Sequence, residues 1–305
     1  MLSVWLRAIR IKFLLASVIA VSLGLAISWH AGHSIDIFHV FLTFAGVVSL
    51  HASVDLLNDY WDFKRGIDTK TKRTKMSGGT GVLPDGLLKP KSVYLVGIGF
   101  LVLGSIIGIY FVVMFGLTIG LILGFAILSV YFYSTKIVNW GLAEVFVTIK
   151  GTLIVLGTFF IQSQSLDDFT VLAGIVVGIL SSLVLFVTSL PDHDADKEKG
   201  RRTLAIIFGK SNAVKIFLIF PIIAYGIIFF GIAIELFPIY SLIVILAKPF
   251  LIMAIMQLKD SQNSEKILIK SMAHTIYFSR IAGALFVISF LIRFLVVVFI
   301  VYLLF

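Results

Sequence analysis

Long apolar runs recur along the whole chain and are separated by shorter polar connections. A helix needs roughly 20 apolar residues to cross a hydrocarbon core of about 30 Å. Nine segments have a suitable length and composition, at residues 9–29, 36–57, 92–114, 116–133, 141–162, 168–190, 213–235, 237–257 and 281–304. The pattern predicts an all-α, polytopic membrane protein with about nine transmembrane helices in a bundle.

Composition supports this fold class and excludes several others. Hydrophobic residues make up 59% of the 305 positions and charged residues 13%, and the mean hydropathy is +1.09, far above the range of water-soluble domains. Because the chain contains no cysteine, disulfides, iron–sulfur clusters and thiolate zinc sites are excluded, and any metal needs oxygen or imidazole ligands. We expect the lipid bilayer to be a partner and nucleic acid not to be one.

Lysine and arginine lie on one side of the predicted bundle. Among the 25 such residues, all except Lys150, Lys248 and Arg293 fall in the N-terminal segment, in the connections that follow even-numbered spans, or, for Lys215, at the start of the span that follows such a connection. In membrane proteins, the loops with an excess of these residues are cytoplasmic. The sequence predicts a multi-pass protein of the cell membrane with a cytoplasmic N-terminus and a site that opens to the cytoplasm.

Two basic connections, residues 63–91 and 191–212, are longer than a turn requires, and carboxylates lie where each begins. Before the first, Asp55, Asp59 and Asp62 are spaced i, i+4, i+7, and Asn58 precedes Asp62 by four residues. This spacing places their oxygen atoms on one helical face. Three carboxylates at the edge of a low-dielectric core repel one another, so the arrangement predicts that cations bind there.

The second connection repeats this arrangement. Asp192 and Asp196 are again spaced i, i+4. The order Asn58-x-x-x-Asp62-x-x-x-Gly66 is matched by Asp192-x-x-x-Asp196-x-x-x-Gly200. We interpret the match as an internal repeat in a single membrane domain, 1–305. Its parts are spans 1–4 (about 1–135), spans 5–8 (about 141–257) and span 9 (281–304), and the loops 63–91 and 191–212 carry the site.

The chemistry of these loops suits a metal and a phosphate group. Mg²⁺ prefers oxygen ligands and is commonly held by a few carboxylates together with substrate phosphates. Charge-assisted donors for phosphate oxygens come from Lys64, Arg65, Arg73, Lys75, Lys197, Arg201 and Arg202. The sequence predicts a Mg²⁺–diphosphate site at the mouth of an apolar bundle. The alternative, a solvated loop that follows the positive-inside pattern, gives no reason for the repeated spacing.

The two motifs resemble those of the UbiA superfamily of intramembrane aromatic prenyltransferases, which carry N-D-x-x-D after the second helix and D-x-x-x-D after the sixth. The resemblance covers essentially the whole chain. It implies a helical bundle with a lipid-accessible central cavity and Mg²⁺ as the cofactor. It also implies a polyprenyl diphosphate donor and transfer of the prenyl group to a small aromatic acceptor.

The resemblance further implies roles for individual residues. The metal ligands would be Asn58, Asp59, Asp62, Asp192 and Asp196. The diphosphate would contact Arg65, Asp68, Arg73, Tyr133, Lys136, Lys197 and Arg201, and the catalytic residues would be Asp62, Asp196 and Lys136. The acceptor-binding candidates are Asp55, Lys150 and Arg10. Lys150 is a candidate for a physical reason, because a charge inside a predicted span usually points into a cavity or at a partner. Tyr133 and Lys136 can also be read as an interfacial tyrosine and a cytoplasmic loop lysine, and Lys150 as a lysine that snorkels to the membrane surface.

Several segments resemble the branch of the family that prenylates 1,4-dihydroxy-2-naphthoate in menaquinone biosynthesis, namely Asp68, Arg73-Thr74, Ser77-Gly78-Gly79 and residues 141–162. Thr188-Ser189-Leu190-Pro191 and Arg10-Ile11-Lys12 depart from that branch and leave the acceptor open. The alternative acceptors are 4-hydroxybenzoate and a geranylgeranylglyceryl phosphate. A secondary transporter is the alternative of another class, although transporter sites usually lie near the bilayer midplane.

Overall fold

The computed structural model describes residues 1–67, 73–74, 76–198, 200–261 and 264–304, and for Ala195 and residues 293–304 it describes the backbone alone. Within these ranges the chain is helical and has no strand. The α-helices are α1 (Leu2–Ala8), α2 (Ile11–His30), α3 (Ile37–Lys64), α4 (Pro90–Phe115), α5 (Leu117–Phe132), α6 (Ala143–Ser163), α7 (Asp168–Ser189), α8 (His193–Glu198), α9 (Leu204–Phe208), α10 (Ala213–Ala233), α11 (Lys248–Asp260) and α12 (Glu265–Leu304). Short 3₁₀ segments cover Ile137–Trp140, Lys210–Asn212 and Ile239–Ala247.

The predicted fold class is confirmed. Each predicted span coincides with a helical segment, and eight segments in the described ranges are long and apolar enough to cross a membrane. The fourth predicted span is the shorter apolar helix α5, with 16 residues. In the eighth, the 3₁₀ segment Ile239–Ala247 continues into α11, so the candidate span is Ile239–Asp260.

The predicted start of the last span, residue 281, is wrong. Helix α12 begins at Glu265, and its candidate span covers Glu265–Ile292. Polar residues such as Lys270 and His274 lower the hydropathy of the first turns, which is why the apolar pattern begins later than the helix. As a consequence, Arg280 lies inside a candidate span rather than in a loop.

Local sequence signals set several helix ends. The Asp36 side chain accepts a hydrogen bond from the His39 backbone N–H at 2.9 Å and caps α3, as Asp commonly does at this position. Gly116, at φ 78°, lies between α4 and α5, in a conformation that favours glycine. Arg10 precedes α2 at φ 48°, a left-handed conformation that is uncommon for a residue with a Cβ.

The main hydrophobic core lies among α2, α6, α7, α10, α11 and α12, while α3 packs chiefly against α4. Helices α6 and α7 approach closely because glycines face each other: a Cβ on Gly178 would lie 2.3 Å from the carbonyl oxygen of Thr148. Small residues allow this approach in membrane helices. A cavity remains between α3–α5 on one side and α2, α6 and α7 on the other.

Candidate active site

The central cavity has a volume of about 370 Å³ and combines a polar end with an apolar interior. At the polar end, the C-terminal part of α3 and the segment that follows α7 face the same cavity, because residues from both acidic motifs line it. The polar side chains there are Asn58, Asp62, Asp192, Asp196 and Arg201. The apolar part is lined by side chains that include Leu42, Phe111, Ile119 and Ile161. The cavity therefore offers an anion- and cation-binding end that continues into a space for a hydrocarbon chain.

The residues of the first acidic motif point in two directions. Asn58 Nδ2 donates to Asp62 Oδ2 at 2.9 Å, and Asn58 Oδ1 accepts a hydrogen bond from the Ser134 hydroxyl. Asp59 is buried but does not line the cavity, because its carboxylate accepts hydrogen bonds from Thr80 and, at 2.7 Å, from Arg10. The i, i+4 pair Asn58 and Asp62 thus faces the cavity, whereas the ion pair of Asp59 with Arg10 connects α3 to the start of α2.

Arg201 joins the two acidic motifs. Its Nη2 atom contacts Asp62 Oδ1, and its Nη1 atom lies 3.2 Å from Asp196 Oδ1. The three side chains are almost fully buried, at 11%, 6% and 5% exposure. The neighbouring carboxylates raise the pKa of Arg201 above its ordinary value against the opposing effect of burial. Burial also raises the pKa of Asp196, while Arg201 opposes this effect.

Asp192 has one satisfied and one unsatisfied oxygen. Its Oδ2 atom accepts a hydrogen bond from the Gly78 backbone N–H at 3.0 Å, whereas Oδ1 is buried without a hydrogen-bond partner in the described part of the chain. Burial raises the pKa of Asp192 to about 7, and the charge of Asp196 adds to this effect. A carboxylate in this position gains much from a nearby cation.

The predicted diphosphate-binding residues are divided between the cavity and its surroundings. Arg201 and Tyr133 line the cavity. Arg65 donates to the Ser134 carbonyl at 2.7 Å, and Arg73 pairs with Asp85 at 2.7 Å. Two further predicted residues, Lys136 and Lys197, are exposed and do not line the cavity, and Lys136 Nζ lies 4.9 Å from the ring centre of Phe132. Asp68 lies outside the described residues.

All three acceptor-binding candidates, Asp55, Lys150 and Arg10, line the cavity. The sequence did not single out Thr80, Ser134 or Gly78, which hold Asp59, Asn58 and Asp192 in place. Only the Ser77-Gly78-Gly79 stretch gave a signal, through its resemblance to the family. Arg280 was also missed, and it lines the cavity from α12.

The residues at the polar end fit a Mg²⁺ ion in donor type. Asn58, Asp62, Asp192 and Asp196 all present oxygen atoms to one end of the cavity, and Asp192 Oδ1 has no other partner among the described residues. In that part of the chain, no three His, Asp or Glu side chains are already arranged around a common metal position, because Arg201 lies between Asp62 and Asp196. Metal binding therefore requires Arg201 to share or leave these carboxylates.

The model of the UbiA prenyltransferase family matches residues 17–277. A 1,4-dihydroxy-2-naphthoate octaprenyltransferase from Bacillus subtilis is 29% identical over 180 residues, which are 58% of this chain and 57% of that protein. UbiA prenyltransferase domain-containing protein 1 from Xenopus tropicalis is 28% identical over 201 residues, or 64% and 56% of the two chains. The Escherichia coli 1,4-dihydroxy-2-naphthoate octaprenyltransferase is 26% identical over 68% of this chain and 70% of that protein. The match thus spans little more than half of the first two relatives.

Solved structures share the fold. A UbiA homolog from Aeropyrum pernix K1 has a TM-score of 0.65 with 15% identity, covering 88% of this chain and 96% of that one. A digeranylgeranylglyceryl phosphate synthase has a TM-score of 0.61 with 19% identity over 95% and 98% of the two chains. A UbiA homolog from Archaeoglobus fulgidus, bound to GPP and Mg²⁺, has a TM-score of 0.58 with 17% identity over 93% and 99%.

Proposed function

Because the chain belongs to the UbiA prenyltransferase family, we propose that it transfers a polyprenyl group from its diphosphate to a small aromatic acceptor, with 1,4-dihydroxy-2-naphthoate as the leading candidate. The feature that most favours this reaction is that a polar, charged end and an apolar space lie in one continuous cavity. Oxygen ligands and Arg201 lie at one end, and a space lined by residues such as Phe111 and Ile161 continues from it. A prenyl diphosphate has the same two parts, a charged head and a hydrocarbon tail.

In this proposal the diphosphate lies at the polar end. Arg201 contacts a carboxylate of each acidic motif, and Tyr133 lines the same cavity. Arg65, Arg73, Lys136, Lys197 and Asp68 remain predicted contributors, from positions around the cavity mouth. Charge-assisted hydrogen bonds from such groups stabilise the negative charge that develops on the departing diphosphate.

Mg²⁺ would be held by Asn58, Asp62, Asp192 and Asp196, with Asp59 positioning Arg10 and the motif. When bound, the ion neutralises these carboxylates and stabilises the leaving diphosphate. The Archaeoglobus fulgidus UbiA homolog was solved with GPP and Mg²⁺, which supports the same pairing of metal and diphosphate here. Arg201, which lies beside Asp62 and Asp196, would donate charge-assisted hydrogen bonds to the phosphate oxygens.

The reaction exchanges one bond for another. The bond between the allylic carbon and the diphosphate oxygen breaks, and its electron pair leaves with the diphosphate. An electron-rich ring carbon of the acceptor forms the new carbon–carbon bond, and the ring then loses a proton or, with the naphthoate, CO₂. Exclusion of water by the apolar walls protects the allylic cation from hydrolysis.

We further propose that the chain is a single membrane domain with a parallel internal repeat, and that its N-terminus is cytoplasmic. The family and the apolar helices make it a multi-pass membrane protein. The distribution of Lys and Arg supports an active site that opens to the cytoplasm.

Product mass from the purified protein tests the proposed function. The protein is incubated in lipid nanodiscs with Mg²⁺, a labelled polyprenyl diphosphate and one acceptor at a time: 1,4-dihydroxy-2-naphthoate, 4-hydroxybenzoate or geranylgeranylglyceryl phosphate. We expect a prenylated and decarboxylated naphthoate product that disappears with EDTA. Absence of product with both aromatic acceptors contradicts the proposal, and a product with the glyceryl phosphate alone assigns the enzyme to lipid synthesis.

A further inference from the structure

A second polar cluster lies deeper in the same cavity, away from the acidic motifs. Lys150 of α6 and Arg280 of α12 line it together with Ser17, His51 and Asp55 from α2 and α3. Asp55 and His51 precede Asp59 by one and two helical turns, or about 6 and 12 Å along α3. The cluster therefore lies within the apolar part of the bundle.

Lys150 and Arg280 lie at nearly the same height against α7. Gly151, the neighbour of Lys150, is in such close contact with α7 that a Cβ there would lie 2.7 Å from Gly178 Cα. Ser279, the neighbour of Arg280, donates a hydrogen bond to the carbonyl of Leu180 at 2.9 Å. Gly178 and Leu180 are two residues apart, so the two cations reach the cavity wall at one level.

Neither cation is neutralised within the described part of the chain. Lys150 has no hydrogen bond or ion pair there, and Arg280 contacts only the adjacent Ser279 hydroxyl at 3.4 Å, with its Nε buried and unsatisfied. Asp55 is the carboxylate of the cluster; it lies 3.9 Å from His51 and forms no ion pair with either cation. Arg10 also lines this cavity, but it pairs with Asp59 at 2.7 Å. Lys150 and Arg280 are therefore two positive charges against the one negative charge of Asp55 in a membrane interior, where an unbalanced charge is expensive and usually marks a binding site.

We propose that Lys150 and Arg280 form the binding site for the carboxylate of the acceptor. This inference rests on the proposed function and extends it, because it requires an acceptor with one negative charge next to the aromatic ring. A monoanion makes the cluster electrically neutral, whereas a hydrocarbon tail does not. The hydrogen-bonded pair of Ser17 and His51, 2.6 Å apart, supplies polar partners for ring hydroxyl groups beside the carboxylate.

The position of the cluster agrees with the order of the reacting groups. His51 is about 16 Å from Asp62 along the axis of α3, and Lys150 and Arg280 line the same cavity. A diphosphate at Asp62 and Arg201, the allylic carbon, and an aromatic ring with its carboxylate follow one another along this path. The cluster thus orients the ring toward the allylic carbon without contacting the diphosphate.

Paired acceptors and matched variants test this site. The acceptors are 1,4-dihydroxy-2-naphthoate and 1,4-naphthalenediol, which lacks the carboxylate; the variants are Lys150→Met and Arg280→Met, and Lys248→Met is the control because Lys248 is exposed and lies outside the cavity. Loss of one charge-assisted contact should raise the KM of the carboxylated acceptor about tenfold to a hundredfold. The KM of the donor and that of 1,4-naphthalenediol should stay within about twofold of the parent. Lys150→Arg should restore most of the loss.

Stability separates this role from a structural one. Since each variant removes an unpaired cation from a membrane interior, both should unfold at or above the parent temperature. An unchanged preference for the carboxylated acceptor in both variants overturns the inference, and so does an equal rise in donor KM. Lower unfolding temperatures in both variants without a change in acceptor preference assign the cations a structural role.

Direct binding distinguishes failure of this site from failure of the proposed function. If the parent makes no aromatic product, the proposed function fails, and the site is still tested by calorimetric titration with 1-hydroxy-2-naphthoate and 1-naphthol. Binding of the naphthoate to the parent but not to the Lys150→Met/Arg280→Met double variant supports the anion site. Equal binding to both proteins, or none to the parent, overturns it.

Discussion

Replacement of Arg201 by glutamine removes the side chain that joins the two acidic motifs. Arg201, Asp62 and Asp196 are only 11%, 6% and 5% exposed, so the two carboxylates would lose a buried counter-charge. Removing one partner of a buried ion pair typically costs about 3–5 kcal/mol. At roughly 2 °C per kcal/mol for a chain of this size or somewhat smaller, we expect the unfolding temperature to fall by at least about 6 °C in EDTA.

The adjacent residue provides the control. Arg202 carries the same charge, but it is exposed, and within the described residues its hydrogen bond is that of its backbone N–H with the carbonyl of Val138 at 3.1 Å. Arg202→Gln should therefore leave the unfolding temperature near that of the parent. The measurement is thermal unfolding of both variants in nanodiscs, in EDTA and in Mg²⁺. Unfolding is followed by intrinsic fluorescence and aggregation by light scattering.

Magnesium gives a second readout of the same ion pairs. If Mg²⁺ binds these carboxylates as proposed, it must displace Arg201 from Asp62 and Asp196 in the parent, whereas in Arg201→Gln the carboxylates are free to bind it. A ligand at 100 times its Kd stabilises a protein by about 2.7 kcal/mol, so Mg²⁺ should raise the unfolding temperature more in the variant than in the parent. The reasoning is refuted if Arg201→Gln unfolds in EDTA at the temperature of Arg202→Gln, or if Mg²⁺ stabilises parent and variant equally.

Three further predictions concern the metal ligands, the helix packing and the orientation. Asp196→Asn should nearly abolish turnover in the product assay, while Asp194→Asn, which changes a carboxylate 80% exposed on the same segment, should keep most of it; similar activities would remove Asp196 from the site. Gly178→Ala places a Cβ 2.3 Å from a carbonyl oxygen and should lower stability by about 1–3 kcal/mol through overpacking, whereas Gly99→Ala, with open space around it, should not; thermal unfolding compares the two. A cysteine in place of the exposed Ser34, alone in a cysteine-free chain, should react with an impermeant maleimide only from outside the cell, and labelling only from the cytoplasmic side would reverse the proposed orientation.

The number and approximate position of the helices could be predicted because a membrane imposes one simple requirement. Each crossing segment must satisfy its backbone hydrogen bonds internally and present apolar side chains over a fixed length. That requirement is visible in composition alone. The predicted start of α12 was wrong, since Lys270 and His274 in its first turns reduce the hydropathy without ending the helix.

The site was predictable where chemistry repeats at a fixed local spacing. Asn58 and Asp62, four residues apart on α3, do face the cavity together, as the helical period requires. The same period cannot show that Asp59 turns to Arg10, because that contact depends on how α2 crosses α3. Nor can it show that Thr80 and Ser134 donate to the first motif, since both come from other segments of the chain.

The bond between Arg201 and Asp62 connects residues 139 positions apart, and this separation has a consequence for synthesis of the protein. At about 5–20 residues per second, Asp62 leaves the ribosome some 7 to 28 s before the arginine that neutralises it. Asp59 differs in this respect, because its counter-charge Arg10 precedes it in the chain. Because an unpaired charge is costly in the membrane interior, we expect the end of α3 to stay at the membrane surface during that interval, where water solvates Asp62. The carboxylate would enter the bundle after α7 and Arg201 have been made. The long-range ion pair therefore predicts the order in which the two acidic motifs are assembled during synthesis.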